Sequence, residues 1–140
     1  MDFIDFLNKK NKSAILFDGA MGTSLQQMDL SENDFGGKDL EGCNENLSRT
    51  FPKAIEDVHR QFLNAGCDVV ETNTFGASSI VLAEYGLEEY VHEINIKSAQ
   101  IAKKVTKEYC NNGTFKYVAG SIGPTTKLPT LGHIEYDILN

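Results

Sequence analysis

Short apolar runs of four or five residues alternate along this chain with longer stretches of helical period. Phe3, Phe6 and Leu7 stand at i, i+3 and i+4, which predicts an amphipathic helix over residues 2–10. The apolar run 14–17 predicts a first buried strand. Residues 24–49 are polar and carry Gly36, Gly37 and Gly42; they are too long for a plain connector and read as a functional loop. A helix follows, with Thr50 as N-cap, Pro52 in the first turn, Ile55, Val58 and Phe62 on one stripe, and Gly66 as the stop. A second strand is predicted over 68–71 and a short helix over 78–85, before Gly86. A longer helix, 88–110, carries Val91, Ile94, Ser98, Ile101 and Val105 on one face and a Glu93–Lys97 pair on another, until Asn111-Asn112-Gly113 ends it. A third strand at 116–120, a loop over 121–134 and the start of a helix over 134–140 complete the pattern.

Strands alternating with helices predict an α/β fold with a parallel sheet. Such strands are apolar on both faces and need cover on both. Three parallel strands bury little and leave two edges. Residues 1–140 are therefore expected to be an incomplete domain, a portion of something larger.

Each strand ends in polar residues. The first delivers Asp18-Gly19-Ala20-Met21-Gly22-Thr23, the second Glu71-Thr72-Asn73-Thr74-Phe75, the third Gly120-Ser121-Ile122-Gly123-Pro124-Thr125. Ligands of α/β proteins bind at the C-terminal ends of strands, so these three exits predict one site built from several loops. Asp18 has the chemistry to hold an ammonium group, act as a base or nucleophile, or cap its own turn. The glycine turn opens backbone amides to a carboxylate or phosphate. Its Gly19–Gly22 spacing fits neither a dinucleotide fingerprint nor a P-loop. Strand alternation turns Thr72 and Thr74 one way and Glu71 and Asn73 the other, one pair lining a pocket and one bracing it. Phe75 reads as packing, with Ser121 and Thr125 as possible donors. His59, His92 and His133 lie at no strand end and read as solvated or packing side chains.

The balance of 41% hydrophobic and 24% charged residues suits a soluble domain. A net charge of -7 disfavours nucleic acid as a partner. No apolar run is long enough for a membrane span, and the first residues lack the pattern of a signal peptide, so a cytoplasmic location is expected. Cys43, Cys67 and Cys110 show no paired spacing and read as ordinary thiols, neither disulfide nor metal site.

Four motifs occur in order: Asp18-Gly19-Ala20-Met21-Gly22-Thr23, Gly42-Cys43-Asn44-Glu45, residues 65–75 and residues 120–125. Together they resemble the homocysteine-binding methyltransferase family, most closely the N-terminal module of its cobalamin-dependent methionine synthase branch. The resemblance implies about the first three βα units of a (β/α)8 TIM barrel. It also implies zinc that activates the homocysteine thiol, and a methyl group taken from methylcobalamin and ultimately from methyltetrahydrofolate bound on other modules, giving methionine. Carried onto this chain, Asp18, Gly19, Ala20, Met21, Gly22 and Thr23 would hold the amino-acid end of homocysteine. Thr72 would lie nearby, and Glu71 and Asn73 would line or brace the pocket. The family's zinc cysteines come late and have no counterpart here, so no catalytic or metal residue is assigned and the piece alone is expected to be inactive. The alternatives are a truncated non-catalytic fragment, or a haloacid-dehalogenase-like phosphatase using Asp18, although Ala20 stands where that family has a second Asp.

Overall fold

A computed structural model describes residues 1–10, 14–111 and 113–139. Asn112, at the expected end of the long helix, and Asn140, at the end of the last one, lie outside the described residues. The elements run α1 (Phe3–Lys10), α2 (Met21–Gln26), α3 (Glu32–Phe35), α4 (Leu47–Thr50), α5 (Pro52–Ala65), β1 (Val69–Glu71), α6 (Ser79–Leu82), α7 (Val91–Glu108), β2 (Tyr117–Ala119) and α8 (Tyr136–Leu139), with short 3-10 turns between several of them. The fold is mixed α/β around a small parallel sheet. β1 and β2 pair with Val69 opposite Tyr117 and Glu71 opposite Ala119.

The first predicted strand is reduced to one parallel bridge, Phe17 to Val69. Leu16 O accepts from Val69 N at 3.1 Å, and Asp18 N donates to Val69 O at 3.0 Å. The ladder stops there because the next donor, Glu71 N, bonds the Asp18 carboxylate at 3.0 and 3.1 Å. The side chain of Asp18 takes the place of a ladder carbonyl, and the main chain is released to turn. With a neighbour on one edge alone among the described residues, Leu16 and Phe17 remain half exposed.

The helices α5 and α7 pack on each other and on β1. Ile55, Val58 and Leu63 of α5 are buried, as are Ile94, Ser98, Ile101, Ala102 and Val105 of α7. Val70 sits beneath them with no exposed surface. The stripes predicted from sequence thus form the core, and α7 runs through all of its clusters. The α5 stop is as expected: Gly66 takes φ 105°, and its N–H closes on Leu63 O.

Two local expectations fail. Thr50 does not cap α5; it ends α4, with its hydroxyl donating back to Asn46 O, and Phe51 occupies the cap position without a side-chain bond. The segment 24–49 is not an open loop. It folds into α2, α3, two 3-10 turns and α4, because Leu25, Phe35 and Leu47 bury themselves against Ile55 and Val58. At the other end of the strands, α1 packs Phe3 edge-on and Phe6 at a tilt against Tyr117. No helix among the described residues is long and apolar enough to cross a membrane.

Candidate functional site

The three strand exits meet in a cavity of about 510 Å³. Its wall contains Asp18, Gly19, Ala20, Met21, Gly22, Glu71, Thr72 and Asn73, all anticipated from the sequence, together with Asn44, Glu45, Phe75 and Ser121. Thr23 is the predicted site residue that the cavity leaves out: it lies in the first turn of α2 and is exposed. Thr125 also falls outside, where its hydroxyl closes on Lys127 O at 2.9 Å.

Asp18 is half-buried in the wall of the cavity. Loss of water around its carboxyl raises its pKa from 3.8 to about 6; the Glu71 N–H opposes that rise, and the nearby Glu71 charge adds to it. Beyond Asp18 the chain passes over α5 so closely that a Cβ on Gly19 would stand 3.0 Å from the Phe62 ring. The turn then enters α2 at Met21. Ser24 N reaches Ala20 O, so the N–H groups of Met21, Gly22 and Thr23 have no acceptor within their own helix.

The exit of β1 is held by two closed rings of hydrogen bonds. In the first, Asn73 Nδ2 donates to Ser48 Oγ at 3.2 Å, and Ser98 Oγ donates to Asn73 O at 3.2 Å. Ser98 has one hydroxyl hydrogen and has spent it, so the 2.7 Å contact between the two serines is a bond from Ser48 to Ser98. The second hydrogen of Asn73 Nδ2 goes to Asn44 O at 2.8 Å. In the second ring, Thr74 donates to Ser121 O at 2.7 Å, Ser121 N donates to Thr72 Oγ1 at 3.1 Å, and Thr72 donates to Thr74 across 2.6 Å. The same-side placement of Thr72 and Thr74 follows strand alternation. The division into a lining pair and a bracing pair does not hold, because β1 ends at Glu71 and Glu71, Thr72 and Asn73 all border the cavity.

The remaining wall is tied by further hydrogen bonds. Glu71 Oε2 accepts the Ser121 hydroxyl at 3.1 Å, and Glu45 Oε1 accepts Gly76 N at 2.8 Å. Gly123 N donates to Phe75 O at 3.0 Å, where a Cβ would come within 2.6 Å of that oxygen. Phe75 therefore stands at the rim, 60% exposed, rather than in the core. Asn44 and Glu45 were visible in sequence as a short motif at the end of the long polar segment. What placed them at the site, the packing of Cys43 and Leu47 on either side, was not visible.

Three carboxylates and no cationic side chain line this cavity, so it suits a ligand with a positive group. It does not suit a metal on its own. No cluster of three or more His, Cys, Asp or Glu able to hold one occurs among the described residues. Burial raises the thiols of Cys43 and Cys67 to about 11, which keeps them protonated at neutral pH. All three cysteines are free.

Comparison with known proteins identifies the family. The family model for homocysteine S-methyltransferase matches residues 15–139. Methionine synthase of Mycobacterium tuberculosis is 44% identical over 135 residues, which is 96% of this chain and 11% of that protein. Methionine synthase of Mycobacterium leprae is 43% identical over the same shares. The metallated form of the homocysteine methyltransferase MmuM from Escherichia coli superposes with a TM-score of 0.66 at 28% identity, covering 84% of this chain and 40% of that enzyme. The chain thus spans about a tenth of the length of the methionine synthases it matches. The phosphatase alternative falls to the same findings. This chain belongs to the homocysteine S-methyltransferase family, a family of methyltransferase enzymes.

Proposed function

We propose that this chain forms the part of a homocysteine S-methyltransferase site that grips the amino-acid end of homocysteine, within a (β/α)8 barrel of the methionine synthase type. The observation that carries the proposal is the pairing, in one cavity, of a half-buried Asp18 carboxylate with the N–H groups of Met21 and Gly22, which find no acceptor among the described residues. The substrate ammonium sits on Asp18, whose charge it neutralises. The substrate carboxylate lies along the amides of Met21 and Gly22, away from Asp18, Glu45 and Glu71. The sulfur points out of the mouth. Glu71, Thr72 and Asn73 keep the opposite wall in place through their hydrogen bonds.

The same proposal includes zinc that lowers the thiol pKa, and a methyl group delivered from methylcobalamin by other modules. The described residues form no cluster for zinc, so this chain's share of the chemistry is binding and orientation. Isothermal titration of the chain with homocysteine tests the proposal. Saturable binding that Asp18→Asn weakens at least tenfold supports it. Absence of binding, or equal binding by the variant, overturns it. Equilibrium dialysis against zinc tests the cysteine assignment: stoichiometric zinc on this chain would contradict it.

A further inference from the structure

The polar groups of the cavity can be counted donor by donor. Among the side chains that line it, those able to donate are Asn44, Thr72, Asn73 and Ser121. Thr72 spends its hydrogen on Thr74, and Ser121 spends its own on Glu71. Asn73 spends one on Ser48 and one on the Asn44 carbonyl. The Asn44 amide is left, with no hydrogen-bond partner among the described residues. Its Nδ2 stands 3.4 Å from where a Cβ on Gly22 would be, directly over the turn that follows Asp18. Its backbone is not free to drift, since Asn73 holds the Asn44 carbonyl at 2.8 Å and is itself locked by Ser48 and Ser98.

We infer that Asn44 is a specificity-determining substrate contact, its Nδ2 donating to the carboxylate of the bound amino acid. This rests on the homocysteine reading above and adds to it a side chain that recognises the ligand's anionic end. The chemistry favours a neutral donor at this place. With Asp18, Glu45 and Glu71 lining the cavity and no Lys, Arg or His among them, an incoming carboxylate finds no cation there. Amide hydrogens are what the wall offers, and Asn44 supplies the spare pair from a side chain, opposite the backbone amides of the turn. Asn44 thus discriminates amino acids from simple amines of the same length.

The test is titration calorimetry on the full chain with three probes: homocysteine, 3-aminopropanethiol, which lacks the carboxylate, and 4-mercaptobutanoate, which lacks the ammonium. Asn44→Ala is expected to weaken homocysteine on the order of tenfold, weaken 4-mercaptobutanoate similarly, and leave 3-aminopropanethiol within twofold of the parent. Asn44→Asp, of the same shape, is expected to lose homocysteine further while keeping 3-aminopropanethiol, which separates recognition from folding. Homocysteine binding unchanged in both variants overturns the inference, as does equal loss of all three probes. A parent chain that binds none of the three overturns the amino-acid reading itself. A parent that binds homocysteine while Asn44→Ala does so equally well overturns the role of Asn44 alone.

Discussion

Asp18 makes the sharpest pH prediction, because one carboxyl should drive two observables in opposite directions. Burial lifts its pKa to about 6, so it is almost fully ionised at pH 7.5, and at pH 5 roughly one molecule in ten is ionised. An ammonium ligand needs the ionised form. Its affinity is therefore expected to fall about tenfold from pH 7.5 to pH 5, worth about 1.4 kcal/mol. Near pH 6 each ligand bound should release about half a proton, seen as a dependence of the heat on buffer ionisation enthalpy. Stability of the unliganded chain should move the other way. The folded pKa is raised, so the folded state holds a proton that the unfolded chain has already lost between pH 4 and 6. Asp18 thus contributes stability below about pH 4 that is lost as pH rises through 6. The full linkage term would be about 3 kcal/mol; water at the open mouth screens the site, and about 1 kcal/mol is the working figure. It is read as the difference between parent and Asp18→Asn in urea unfolding across pH 4–7, which cancels the titrating groups that do not interact with Asp18. Affinity that is flat with pH, or a parent-minus-variant stability that rises with pH over that window, would refute the reasoning.

Other outcomes follow from single contacts. Ser98→Ala opens the first ring, leaving the Ser48 hydroxyl without an acceptor and the Asn73 carbonyl without its donor inside the core; a loss of about 1–3 kcal/mol in urea unfolding is expected. Gly123→Ala drives a Cβ to 2.6 Å from Phe75 O and 2.7 Å from its ring, so the loop must shift, with a lower melting temperature by scanning calorimetry and weaker homocysteine binding. His59 is buried with neither ring nitrogen hydrogen-bonded among the described residues, and burial lowers its pKa to about 4. The unfolded chain takes up a proton below about 6.5 that folded His59 refuses, so its stability is lost as pH falls from 6.5 towards 4. His59→Leu is expected to abolish that acid loss and to match or exceed the parent by about 1 kcal/mol at pH 7 in the same assay.

How much of this was legible beforehand differs by scale. The α5 and α7 stripes were legible because helical period and burial agree at Ile55, Val58, Ile94, Ser98 and Ile101. The strand exits were legible because apolar runs ended in Asp18, Glu71 and Gly120. The weakness of the first strand was not, since it depends on which side chain claims Glu71 N. Nor was the capping at residue 50, where Thr50 had two backbone partners to choose between and took Asn46 O. The long polar segment misled for a general reason: its buried positions, Leu25, Phe35 and Leu47, are spaced too irregularly to show a period, and their partners lie on another helix. Asn44 and Glu45 reached the site through that packing. Ser98 read as one polar member of an apolar stripe, and its pairing with Ser48, fifty residues earlier, is a tertiary fact.

The two rings also bear on how fast and how uniformly the site can accept a ligand. Each has one sense of circulation, because an amide nitrogen can only donate and a carbonyl can only accept at its closing point. The hydroxyl rotors of Ser48, Ser98, Thr72 and Thr74 are consequently frozen before any ligand arrives. Little rotor entropy remains to be lost at this wall, and no hydroxyl there is free to turn towards a poorer ligand. The cavity should behave as a preset template on its β1 side, with backbone amide exchange of Thr72 and Thr74 equally slow with and without ligand, and any adjustment confined to Asn44 and the turn beyond Asp18.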